Sequence, residues 1–328
     1  MRRGLRGLAR RCAAVLTPLP PHARQVSQPA IYVSSLAAVE KLKARGPRGD
    51  ARRAPGEHSQ RCGASRRRGG ARSAPQRHAA AIPDAPRGGP PGDTAAQMTP
   101  EGRAALEACN VAAGLSLGEY TALAFAGALS FEDGLRLVKL RGESMQAAAD
   151  AKPSAMASVI GLSSEQVTAL CDKATAEVGA AAGVRIANYL CPGNYAVSGG
   201  VPGIEVLERI AKPEFKARMT VRLAVAGAFH TDYMAPAVPK LAEALAACTI
   251  SKPRIPVVSN VDAKPHSDPA VIRAILAKQV TSPVQWEATL NTLLAKGLQE
   301  SYEIGPGKVI AGIMKRISKE AKFTNVEA

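Results

Sequence analysis

Gly114-Leu115-Ser116-Leu117-Gly118 decides the fold, because a short apolar run, Val111-Ala112-Ala113, leads into it and a helix-forming stretch from Glu119 leads out. Strand, tight turn and helix in that order are what a nucleophile elbow requires. The two glycines let the backbone turn sharply without Cβ clashes, so the serine hydroxyl stands at the top of a sheet and at a helix N-terminus. Ser116 is therefore the candidate nucleophile. The bare pattern also arises by chance in a Gly- and Ala-rich chain, so the flanking strand and helix carry the argument.

Outward from the elbow the pattern is regular. It predicts a strand near 109–113, a helix from 119, a break at Gly127, and a second helix from Ser130, whose Asp133 makes it close to a capping box. Residues 154–219 read as a distinct unit with strands at 155–160, 184–190 and 195–198, helices after Ser163 and across 203–211, and a last strand at its border, 219–225. That β-α-β-β-α-β order predicts a ferredoxin-like subdomain. A helix at 236–247, a strand at 255–259, helices at 269–279 and 286–296, a strand at 301–304 and a closing helix from Lys308 follow. Alternating strands and helices predict an α/β core over 106–153 and 220–328, a mostly parallel sheet of the α/β-hydrolase kind with the smaller unit inserted.

Upstream the chain changes character. Residues 1–110 carry 20 Lys+Arg against 7 Asp+Glu, whereas 111–328 carry 23 against 20, so most of the formal +16 lies outside the regular part. Tyr32 is the only aromatic residue in 1–110, which argues for a targeting or disordered arm over a nucleic-acid reader. Residues 1–27, arginine-rich and free of acid, read as a transit-like leader. Residues 28–45, around Pro29-Ala30-Ile31-Tyr32-Val33, read as a core helix. Residues 46–105, dominated by Arg, Gly, Pro and Ala, read as a disordered insert that cannot bury enough apolar surface to offset its ordering entropy.

Six cysteines without a C-x-x-C pair indicate neither a zinc site nor a disulfide framework and suit a reducing compartment. No apolar run approaches the ~20 residues that span a bilayer. The expectation is a soluble protein without nucleic-acid or membrane partners, read as a monomer. A nicotinamide-binding G-x-G-x-x-G after a strand and an H-E-x-x-H are both absent, so no cofactor or metal is expected. Gly305-Pro306-Gly307-Lys308 lacks the Walker spacing and reads as a strand-to-helix turn.

A serine nucleophile needs a base, and only His230 and His266 lie in the regular part. His230 follows a strand, where α/β sites gather, while His266 sits in a polar turn expected to be solvated. Arg141 points with the apolar stripe of its helix, near the direction of Met145. It is open to two readings: a snorkelling or internally paired arginine, or a fork that grips a substrate carboxylate through two parallel hydrogen bonds. Asn260 and Gln279 each end an element on the sheet, and neither is diagnostic alone.

From Cys109 to Ala328 the chain resembles the malonyl-CoA:acyl carrier protein transacylases, most closely the plastid enzymes. The resemblance rests on Gly114–Leu123, Lys139-Leu140-Arg141-Gly142-Glu143-Ser144-Met145-Gln146, Ala187-Asn188-Tyr189-Leu190-Cys191-Pro192-Gly193-Asn194-Tyr195, Gly227-Ala228-Phe229-His230-Thr231 and Gln279–Trp286. It implies Ser116 as the acylated nucleophile, His230 as general base, Gln279 orienting His230 through its main-chain carbonyl, and the Leu117 N–H as one oxyanion donor. Arg141 would bind the malonyl carboxylate, with Met145, Asn188 and Phe229 lining the substrate site. Malonyl-CoA and acyl carrier protein are the implied partners, and the chloroplast stroma the implied compartment, with the mitochondrion as alternative.

One departure stands out. The family opens with a strand followed by Gly-Gln-Gly-Ser-Gln, whose glutamine completes the oxyanion hole, and no Gly-Gln-Gly occurs here. The expectation is a sheet with a central gap, a misassigned first exon and a different N-terminus in the working protein. Two rivals stay open: a serine thioesterase or hydrolase of the same elbow chemistry, and an inactive acyl-CoA or carrier-protein binding module.

Overall fold

The computed structural model describes residues 12–16, 104–105 and 107–326. The expected helix at 28–45 lies outside the described residues, as does most of the expected insert at 46–105. Two sheets organise the fold. The larger contains β1 (Cys12–Leu16), β2 (Cys109–Gly114), β7 (Val257–Val258), β8 (Pro265–His266), β9 (Glu300–Ile304) and β10 (Lys322–Val326), in the order β10-β9-β1-β2-β7-β8. All neighbours run parallel except β8 against β7.

β1 corrects the reading of residues 1–27 as lying wholly outside the fold, and no gap opens at the sheet's centre. Cys12–Leu16 runs between β2 and β9, with Leu16 level with Gly114 on one side and Ile304 on the other. The physical reason is that an interior strand of a parallel sheet needs only a short apolar run, here Cys-Ala-Ala-Val-Leu, without alternation.

Helices cover both faces of this sheet. On one face Ala112, Val257 and Ile304 pack with α1 (Leu117–Phe125), α2 (Phe131–Ala151), α5 (Val238–Ala247) and α6 (Pro269–Gln279). On the other, Val111, Ala113 and Val258 pack with α7 (Trp286–Ala295) and α8 (Val309–Ile317). Alternate side chains of β2 thus enter opposite cores, as strand geometry dictates. Ser130 caps α2 by accepting from the Asp133 N–H, which agrees with the cap read from sequence.

The smaller sheet is antiparallel, in the order β4-β5-β3-β6, from β3 (Ser154–Ile160), β4 (Val184–Cys191), β5 (Asn194–Gly200) and β6 (Met219–Arg222). It packs through Val159, Ile186 and Val197 on α3 (Ser164–Val178) and α4 (Val201–Ala211). β6 pairs with β3 through Arg222, so this sheet continues past the boundary expected at 219. Backbone bonds at 2.9 and 2.8 Å, Tyr189 N–H to Val284 O and Val284 N–H to Ala187 O, stitch β4 to the segment just after α6. That stitch ties the small sheet to the segment that follows Gln279, the last residue of α6.

Several details differ from the sequence reading. β7 holds two residues where five were expected, β6 ends at Arg222, and β10 was not anticipated. His266 lies on β8 and meets the Asp262 carboxylate at 2.9 Å, so the expected solvated turn is a paired, partly buried residue. The turn at Gly305–Lys308 leads from β9 to α8, and the buried Glu303 carboxylate accepts from the N–H groups of Ile310 and Ala311, each at 2.9 Å. An internal carboxylate therefore occupies the helix end that a phosphate would need.

Candidate active site

The elbow forms where β2 meets α1. Ser116 takes φ 52° and ψ −103°, a conformation that side chains other than glycine rarely adopt. Gly114 makes the turn possible: a Cβ there would stand 2.0 Å from the Gly118 carbonyl atoms. Asn260, beyond β7, clamps the strained turn. Its Oδ1 accepts from the Ser116 N–H at 2.5 Å and its Nδ2 donates to Gly114 O at 2.8 Å.

Ser116 Oγ lies 2.9 Å from His230 Nε2, and His230 Nδ1 lies 3.0 Å from the main-chain oxygen of Gln279. A carbonyl can only accept, so Nδ1 carries the proton and Nε2 is left with the lone pair that faces the serine. His230 is buried and itself holds a positive φ of 61°. Burial first, and the nearby Arg141 charge second, lower its pKa to about 4, so the imidazole is neutral at physiological pH.

Arg141, from the middle of α2, is buried at 2% exposure. Its Nη2 donates to Ser116 Oγ at 2.9 Å and to Gln279 Oε1 at 3.2 Å, and its guanidinium carbon stands 5.6 Å from the Tyr120 ring centroid. A cation is thus aimed at the nucleophile itself, which a snorkelling arginine would not be.

The structure brings Ser116, His230, Arg141 and Gln279 into one hydrogen-bonded group. Leu117 opens α1, so its N–H is among those that lack an acceptor inside the helix. Met145 lies one turn beyond Arg141 and is buried with it. Phe229 precedes His230 and packs against both the main core and the Met156–Ala187–Ala196 cluster. Asn188 sits at the β4 irregularity beside Val284; its Oδ1 is buried with no hydrogen-bond partner among the described residues, and no bond joins it to the Ser116 group.

Two residues at the site had no role in the sequence reading. Asn260 was noted only as ending an element. Glu119 carries no signal in the sequence, because an acidic residue in a helix's first turn ordinarily faces solvent; it is 3% exposed, and α1 is buried nearly all round. Its Oε2 accepts from Gln279 Nε2 at 2.6 Å and from the Asn260 N–H at 3.2 Å.

A hydroxyl between a neutral imidazole and a guanidinium, at a strained strand-to-helix turn, can form an ester and hold an anionic acyl group. The family model described as acyl transferase domain matches residues 97–327. The chain belongs to the acyl transferase domain family. The chain is 42% identical over 210 residues to the malonyl CoA-acyl carrier protein transacylase of Bacillus subtilis, covering 64% of this chain and 65% of that protein. It is 39% identical over 225 residues to the mitochondrial malonyl-CoA-acyl carrier protein transacylase of Homo sapiens, covering 66% of this chain and 57% of that one. Matched stretches thus span less than two thirds of these curated relatives. Among solved structures, the malonyl CoA-acyl carrier protein transacylase of Coxiella burnetii matches with a TM-score of 0.68 at 25% identity, over 97% of this chain and 94% of that one.

Proposed function

We propose that this acyl transferase moves malonyl from malonyl-CoA to the phosphopantetheine thiol of acyl carrier protein in fatty acid biosynthesis, as an acyl-carrier-protein S-malonyltransferase. The observation that carries the reading is Arg141 Nη2 at 2.9 Å from the Ser116 oxygen that would bear the acyl group. The malonyl chain is short, so an acyl carbonyl bonded to Ser116 leaves its free carboxylate within reach of the guanidinium.

The steps follow from the geometry. As Ser116 Oγ bonds to the thioester carbonyl carbon, His230 Nε2 takes its proton, and the Gln279 carbonyl holds the imidazolium through Nδ1–H. Negative charge on the carbonyl oxygen is met by the Leu117 N–H. The C–S bond breaks, the proton goes from His230 to the departing CoA sulfur, and a malonyl-serine ester remains. The carrier's thiol then gives its proton to His230 and attacks the ester, and Ser116 leaves with that proton restored. Met145, Asn188 and Phe229 would bound the acyl pocket.

The architecture is read as an α/β-hydrolase-like core with an inserted ferredoxin-like subdomain; the β4-β5-β3-β6 order and the two helices on that sheet support it. The proposed domain limits are 106–153 and the stretch after β6 for the core. The proposed compartment is the chloroplast stroma, with the mitochondrion, which the human relative's name carries, as the alternative. Imaging a fluorescent fusion that keeps residues 1–45 decides between them.

The function is tested by incubating the protein with malonyl-CoA and recording its intact mass. A malonyl adduct lost on addition of holo acyl carrier protein supports transfer. An adduct lost equally fast to water alone supports a hydrolase, and no adduct supports a binding module.

A further inference from the structure

Glu119 is a buried carboxylate that no step of the mechanism uses, three residues past the nucleophile on α1. Its partners are the structure's clue. Gln279 meets four groups: Nε2 donates to Glu119 Oε2 at 2.6 Å and to Ser116 O at 3.0 Å, Oε1 accepts from Arg141 Nη2 at 3.2 Å, and the main-chain oxygen accepts from His230 Nδ1 at 3.0 Å. Turning the amide over would set its N–H₂ against a guanidinium, donor to donor, and its oxygen against a carboxylate and a carbonyl. Only one orientation satisfies every partner.

We propose that Glu119 is a positioning residue for acyl transfer: it fixes the Gln279 amide so that one residue aligns both the arginine that grips the substrate carboxylate and the histidine that serves as base. The same oxygen also holds the Asn260 N–H, at 3.2 Å, and so joins this alignment to the clamp on the elbow. Glu119 thereby couples carboxylate recognition to proton transfer. Burial raises the carboxyl to about 7, with the Gln279 and Asn260 hydrogen bonds opposing the rise, so the anionic acceptor prevails above that value. This inference rests on the transferase reading of Arg141 and His230.

Two substitutions separate reach from charge. E119Q keeps an oxygen at the same reach and loses the charge. E119D keeps the charge and the favourable placement in the helix's first turn but withdraws the oxygen by one methylene. The assay is the rate of Ser116 acylation at pH 8 by malonyl-CoA and by acetyl-CoA, with thermal midpoints measured alongside. The expected result is that E119D loses about thirtyfold or more in malonyl kcat/KM, within the ~10²-fold that a 1 Å misplacement can cost. Its malonyl-to-acetyl preference narrows as well, while E119Q stays within about fivefold of the parent. Adding E119D to Q279A is expected to change the rate less than about threefold, because the carboxylate acts through that amide.

The proposal is overturned if E119D lowers only the thermal midpoint and leaves both rates and the preference unchanged. It is equally overturned if the E119D and Q279A losses multiply. Absence of any malonyl adduct on the parent protein would overturn the transferase reading and this inference with it, an outcome visible before any variant is made.

Discussion

Replacing Arg141 with Met removes the charge while keeping most of the side-chain volume in a site where the guanidinium is 2% exposed. A malonyl carboxylate entering the variant loses its only proposed counter-charge in a buried setting. Breaking a buried pair by removing one partner costs about 3–5 kcal/mol, and at about 1.4 kcal/mol per decade this is between roughly 10²-fold and a few thousandfold in malonyl kcat/KM. Acetyl-CoA has no carboxylate to lose. Arg141 also donates to Ser116 Oγ at 2.9 Å, but loss of that bond affects both thioesters, so the ratio of the two rates isolates the carboxylate. The assay is the initial rate of Ser116 acylation by each thioester, followed by intact mass. R141K, with a point charge and no fork, is expected to fall between. Equal losses with malonyl-CoA and acetyl-CoA would refute the assignment and leave Arg141 as a support for the serine alone.

Four further outcomes follow from the same geometry. His230 sits at about 4, lowered by burial and then by Arg141, so the base is lost only as pH falls through about 4; the acid edge of the acylation rate belongs there and moves upward in R141M. His230→Ala is expected to slow acylation by about 10²–10⁴-fold. Asn260→Ala removes two hydrogen bonds to buried backbone at the strained elbow, which at about 1–3 kcal/mol each lowers the unfolding midpoint measurably in urea. Glu119 is raised to about 7, so its contribution to stability is fully present below the ordinary carboxylate range and is lost as pH rises through about 7; the urea midpoint of the parent falls across that window, and that of E119Q falls less.

How much of this was legible in the sequence varies with the physics of each element. The elbow was readable because its glycine is forced by a 2.0 Å clash with backbone, and the start of α2 because Ser130 caps it with its own hydroxyl. The small sheet was readable because its strands are apolar runs set off by turns and by helices, one of which, α3, opens on the Ser163–Gln166 capping box. β1 was not, since five apolar residues among arginines show no periodicity and gain their place only from β2 and β9 on either side. β10, Lys-Phe-Thr-Asn-Val, is an edge strand whose polar composition resembles a tail. Ser116, His230 and Arg141 were found by residue type and direction. Glu119 and Asn260 were not assigned roles, because their importance lies in partners 160 and 144 positions away along the chain, and nothing local announces a buried acid on a helix with no solvent face.

In the proposed transfer the hydroxyl of Ser116 carries a malonyl group between two thiols. The most direct measurement is the peptide-resolved mass of the protein after brief exposure to malonyl-CoA, before and after holo acyl carrier protein is added. The expected result is a single malonyl ester on Ser116, absent in S116A, that disappears as malonyl-carrier accumulates in equal amount. A malonyl group on any other residue, or a Ser116 ester that the carrier thiol leaves untouched, would contradict it.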